Sequence, residues 1–173
     1  MMGRPDGTAE EVQWRSKLLG QDRGGAAKNA IRIVAHRQGA WSLRSSRSAV
    51  LQLQSLFDKQ SSWATGRSSR GLRQMLGSST VVVSAWDQKC LVGFGRATSD
   101  GQFRAVLWDV IVDERVQGKG VGRRIVGTLI EHPRLAQVER IYLMTSTSSG
   151  FYRQIGFEDC KIQDLMWINR KPN

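Results

Sequence analysis

Two cysteines and three prolines are all that 173 residues contain. Cys90 and Cys160 stand far apart in strand-like stretches, so they are expected to be buried free thiols of a reducing compartment, not a disulfide frame. Only two histidines accompany them, without ligand-like spacing, so no metal site is expected. No apolar run approaches the roughly 20 residues that a membrane-spanning helix requires. Met1 to Gly7 lacks the apolar core of a secretory leader, and the expected location is cytoplasmic. Acid is missing from one half of the chain. Between Arg23 and Trp86 the sole carboxylate is Asp58, set against Lys28, Arg32, Arg37, Arg44, Arg47, Lys59, Arg67, Arg70 and Arg73.

An apolar content of 40% and six tryptophans imply a folded core of single-domain size. Residues 1–30, punctuated by glycine, read as a flexible extension with one short amphipathic piece at Val12 to Leu19. Residues 31–173 read as one α/β (α+β) domain. Ile31, Ile33 and Val34, then Trp41 and Leu43, suggest an opening strand interrupted at Gly39. Ala49, Leu53, Leu56 and Phe57 recur at helical spacing behind three candidate caps, Ser45, Ser46 and Ser48. A second helix is expected over Arg67 to Leu76, ending at Gly77. Thr80–Trp86, Cys90–Thr98 and Arg104–Val112, separated by turn clusters, read as an antiparallel meander. Gly120 to His132 carries one apolar helical stripe that Pro133 closes. Arg140–Met144 is a strand, Gly150–Ile155 a short helix, and Phe157–Cys160 with Asp164–Ile168 a final strand pair.

The chemistry gathers where the third meander strand ends. Trp108-Asp109-Val110-Ile111-Val112 runs into Gln117-Gly118-Lys119-Gly120-Val121-Gly122-Arg123-Arg124, a glycine-rich turn that opens a helix. Glycines let backbone N–H groups converge there, and the helix start adds partial positive charge, making a cradle for a pyrophosphate. Lys119, Arg123 and Arg124 add cations. The turn lacks the Lys-Ser/Thr ending of a nucleotide-hydrolysing loop, and no βαβ unit precedes it.

Gln117-x-x-Gly120-x-Gly122 resembles the acetyl-CoA pyrophosphate motif of the GNAT superfamily. Gly150-Phe151-Tyr152-Arg153-Gln154-Ile155-Gly156-Phe157 resembles that superfamily's Phe-Tyr-x-x-x-Gly-Phe signature. Two motifs in the right order are more specific than either alone, and the resemblance runs from about residue 40 to the end. Val92–Asp100 with Leu107–Val110 is similar to a plant plastid and cyanobacterial branch, which includes serotonin N-acetyltransferases and enzymes that acetylate protein lysines and N-termini.

The resemblance implies a GNAT fold with a mixed sheet of about six to seven strands and flanking helices. It also implies acetyl-CoA as co-substrate, bound along Val110, Ile111 and Val112 and held at its pyrophosphate by Gln117, Gly118, Lys119, Gly120, Val121, Gly122, Arg123 and Arg124. An amine then attacks the thioester directly in a ternary complex. Tyr152 is the implied proton donor to the leaving sulfur, since a phenol stays protonated at neutral pH. Asp109, an acid in an apolar strand, is either a base acting through water or a structural acceptor, the amine in the second case losing its proton to bulk solvent. The acceptor is an arylalkylamine such as serotonin or a protein amine. A non-catalytic acetyl-CoA-binding or RNA-associated module is the alternative from another class. Trp41, Trp63 and Trp86 are candidate walls of an aromatic pocket. The excess positive charge, net +11, suits RNA or acidic surfaces as partners, or a solvated face. A homodimer is the expected assembly.

Overall fold

A computed structural model describes residues 30–36 and 38–170. The expected N-terminal extension, with its Val12 to Leu19 piece, therefore lies outside the described residues except for its last position.

The chain opens with strand β1 (Arg32–His36). Gly39 and Ala40 then take left-handed backbone angles, φ 73° and 42°, which end the strand. Helix α1 (Trp41–Ser45) follows, so Trp41 and Leu43 continue a helix and not the expected strand. Leu43 still reaches the core, with 2% exposure. Of the three candidate caps Ser46 serves helix α2 (Arg47–Gln60), accepting from the Ala49 amide. Helix α3 (Ser69–Ser78) is capped in the same way by Ser68, whose hydroxyl accepts from the Gly71 amide.

Strands β2 (Val81–Asp87), β3 (Cys90–Ser99) and β4 (Arg104–Val112) form the expected antiparallel meander, with β1 against β2. Helix α4 (Val121–Ile130) crosses back to β5 (Arg140–Leu143), which lies parallel to β4, and helix α5 (Ser149–Gln154) follows. The result is a five-stranded mixed sheet in chain order. Six to seven strands were expected. The stretches expected to supply the last two, Phe157–Cys160 and Asp164–Ile168, carry no strand. Their apolar composition suits a strand, but composition needs a ladder partner to become one. The Tyr142 hydroxyl ties this segment to β5 by donating to Gln163 Oε1 at 3.2 Å.

Both sheet faces are covered. Val81, Val83 and Ala85 pack with Ile125 and Leu129 of α4 on one face. On the other, Val82, Phe94 and Ile111 meet Leu53, Phe57, Leu72 and Leu76 of the helical layer. Each Val, Leu, Ile or Phe among them contributes about 1.5–3 kcal/mol by leaving water. Gly93 and Gly95 let α4 lie low on β3, since a Cβ at either would stand 2.8 Å from Ile125. Both cysteines are exposed, contrary to expectation. Cys90 borders the tight β2–β3 turn, and Cys160 lies on the strandless segment.

Candidate active site

Two irregularities in β4 make the site. First, Asp109 takes φ 55°, and the β3–β4 register slips between Phe94 and Arg96. Such a bulge shifts the alternation of faces. Ala105 and Leu107 face α4 before it, and Val110 and Val112 after it. Second, the parallel pairing with β5 covers only Arg104–Leu107 against Arg140–Leu143. Beyond Leu107 the β5-facing backbone of β4 has no strand partner.

A cleft of about 530 Å³ begins where the strands part. Val110, Ile111 and Val112 form one wall, and Gln117, Gly118, Gly120, Val121, Gly122 and Arg123 form its floor. Phe151 and Tyr152 of α5 close the far side. Gly118 and Gly120 have φ of 73° and 75°, a conformation that favours glycine, and no side chain caps the start of α4. Gly122 keeps the cradle open, because a Cβ there would meet Phe151 at 3.3 Å. Gln117 is held by its amide, which donates to the Val112 carbonyl at 3.0 Å. The buried Asp113 braces the turn from behind, accepting from the Arg115 amide at 3.0 Å and from its guanidinium at 2.8 Å. That guanidinium holds the Asp113 carboxyl below the usual carboxylate range.

Three of the expected residues stand off the cleft wall. Lys119 is exposed beside the turn. Arg124 points back along α4 and donates to the Ile31 carbonyl at 3.0 Å, tying the helix to the chain before β1. Asp109, 9% exposed, faces the helical layer. Its Oδ1 accepts from Arg67 at 3.1 Å and its Oδ2 from Arg96 at 2.5 Å. Arg67 lies over the rings of Phe57 and Trp63, and Arg96 over Trp108.

The three tryptophans do not share a pocket. Trp63 lines the cleft, Trp41 is exposed on α1, and Trp86 donates to Ser84 on β2. Gln60, Thr147 and Ser148 join the cleft without any motif to announce them, Gln60 from the end of α2 and the other two from just before α5.

Tyr152 also borders a second cavity, of about 620 Å³. Val106 and Trp108 of β4 line it with Tyr142, Leu143 and Met144 and the segment that follows α5. Burial raises the Tyr152 phenol above its ordinary 10.0, which keeps the proton on it.

A family model, Acetyltransferase (GNAT) family, matches residues 50–157, from α2 through both motifs. The chain belongs to the GNAT acetyltransferase family. It is 33% identical over 102 residues to an uncharacterized N-acetyltransferase ycf52 of Pyropia yezoensis, a match covering 55% of this chain and 59% of that protein. Histone acetyltransferase TAP1 of Glycine max is 41% identical over 73 residues, 42% of this chain and 32% of that one. Serotonin N-acetyltransferase 2, chloroplastic, of Oryza sativa subsp. japonica is 43% identical over 67 residues, 38% and 34%. These matches span about a third to three fifths of the relatives' own lengths. Among solved structures, a GNAT family acetyltransferase from Streptococcus pneumoniae TIGR4 superposes with TM-score 0.60 at 25% identity, covering 82% of this chain and 100% of that one. Acetyl-CoA is the co-substrate of that family, and the glycine cradle and parted strands fit that molecule.

Proposed function

We propose that this GNAT enzyme acetylates a small primary amine with an apolar or aromatic body. The observation that carries this is the position of Tyr152 between two cavities, one against the glycine turn and one against Trp108. Acetyl-CoA supplies the thioester acyl group. Gln117 to Gly122 would hold its pyrophosphate, and the β5-facing edge of the backbone from Val110 to Val112 would bond its pantetheine arm and polarise the thioester carbonyl.

The acceptor enters through the cavity at Trp108. There Tyr142, Leu143, Met144 and Trp108 offer apolar surface, and Arg153 is set against Glu158, Asp159 and Asp164. Arg153 is already paired with Asp159 at 2.8 Å, which leaves two carboxylates for an ammonium group. The basic excess of the helical layer therefore does not govern this cavity, and a cationic amine is attracted there. The ammonium proton is lost to solvent, because Asp109 lines neither cavity and is held by Arg67 and Arg96 on the side of the helical layer. The free amine attacks the carbonyl carbon, the C–S bond breaks, and Tyr152 delivers its proton to the departing sulfur.

A protein amine is the second acceptor reading, supported by the name of the soybean relative. Release of free CoA separates the readings when serotonin, tyramine, spermidine and lysine- or N-terminus-bearing peptides are offered in turn. Turnover confined to the arylalkylamines, lost in Tyr152→Phe, is the expected outcome. Turnover on peptides alone replaces the small amine with a protein. Binding of acetyl-CoA with no turnover on any acceptor would favour a non-catalytic module.

A further inference from the structure

Acetyl transfer leaves the basic helical layer without a task. Residues 38–80 carry Arg44, Arg47, Lys59, Arg67, Arg70 and Arg73 against a single carboxylate, Asp58. Arg67 is answered by Asp109 from β4. Arg44 and Arg73 are in no described ion pair, yet they share one dent of about 400 Å³ between α1 and α3, beside Trp41, Ser45 and Gln74.

The dent is built, not incidental. The Arg44 guanidinium lies 5.2 Å from the centre of the Trp41 ring. It also rests on α3 at Gly77, where any Cβ would collide with its Nη1. Arg73 is drawn in by donating from Nη1 to the Arg44 carbonyl. Two guanidiniums lining one dent, with no carboxylate paired to either among the described residues, raise the positive potential there, and a bound anion lowers that cost. Trp41 meanwhile keeps 68% of its surface exposed.

We propose that this dent binds single-stranded nucleic acid, with a base stacked on Trp41 and neighbouring phosphates on Arg44 and Arg73. Planar guanidiniums match phosphate oxygens two at a time, and an exposed indole beside them is a stacking platform for any base. Arg70, one turn earlier on α3, extends the cationic track. An acidic peptide would answer the charge but would offer nothing planar to Trp41. None of the residues lining the dent lines the acetyl-CoA cleft, so the inference stands apart from the acceptor reading.

The test is fluorescence anisotropy of labelled U12 and dT12 with the full chain across a salt series, with unlabelled polyglutamate as competitor. The expected result is binding that weakens steeply with salt. Trp41→Ala should weaken it about 5- to 150-fold, and Arg73→Gln should lower the salt slope by about one. Trp41 is exposed, so its variant should fold and acetylate as before. Binding that is equal in Trp41→Ala, or is displaced by polyglutamate at matched charge, overturns the proposal, as does no binding at low salt.

Discussion

Asp109 and Arg67, 42 positions apart in sequence, meet at 3.1 Å, and that contact joins the β4 bulge to the loop between α2 and α3. The same guanidinium lies on Trp63, a wall of the cleft. A strained backbone position, an ion pair and a cavity wall are thereby linked. Removing one partner of a buried pair strands the other charge, so Asp109→Ala should cost about 3–5 kcal/mol. The lower end is expected because the Arg67 side chain is 34% exposed. Urea unfolding measures the loss, and a cost below about 1 kcal/mol would mean the contact is merely surface pairing.

Tyr152→Phe keeps the ring and removes the proton. A fall in kcat of about 10²–10⁴ is expected, with KM for acetyl-CoA near that of the parent. Because burial raises the phenol above 10.0, wild-type kcat should show no decline from this group until pH exceeds that value. A rate–pH profile to pH 10 checks both points, and a mutant retaining half of the parent kcat would remove Tyr152 from the acid role.

Gly122→Val fills the space between α4 and Phe151, where even a Cβ is at 3.3 Å. It should raise KM for acetyl-CoA by at least about tenfold, a difference of about 1.4 kcal/mol in binding, with little change in unfolding. Isothermal titration with acetyl-CoA reads this directly. Unchanged affinity would place the pyrophosphate elsewhere.

Gly95→Ala acts on stability instead. Its Cβ would stand 2.8 Å from Ile125 Cγ2 and 3.1 Å from Leu129, and overpacking of this kind costs about 1–3 kcal/mol. Pairing it with Ile125→Ala should recover part of the loss. A double mutant that is simply additive would show that the two sites do not touch.

His36 supplies a pH dependence. Its Nε2 is 2.7 Å from Ser84 Oγ, which itself accepts from the Trp86 indole at 2.7 Å. Burial first, then the charge of Arg32, holds the imidazole below its ordinary 6.5. The unfolded chain then binds the proton more readily than the folded one. Stability from this group is complete above pH 6.5 and declines as pH falls from there toward the lowered folded value. Urea midpoints at pH 7.5 and pH 5.5 should differ less in His36→Gln than in the parent.

Much of this was legible in residue order. The meander, the glycine turn and the amphipathic stripe of α4 depend on local backbone freedom and periodicity, and the two motifs carried the family. The residues that escaped are those defined by distance in space. Gln60 reaches the cleft because α2 ends beside β4, and Arg67 finds Asp109 only after the sheet has formed. Trp63 was expected as a pocket wall and is one, but without Trp41 and Trp86. Trp41 and Leu43 look strand-like by composition, yet two left-handed residues before them turn the chain into a helix. The C-terminal apolar residues suggested strands that a sheet edge alone did not produce.

The gap between β4 and β5 is also a statement about kinetics. The bulge at Asp109 and the end of pairing at Leu107 set it in the backbone of the sheet itself. The surface on which acetyl-CoA would lie is then a fixed strand edge and not a loop. Association should then be a single bimolecular step, its rate rising linearly with concentration and showing no plateau from a prior rearrangement.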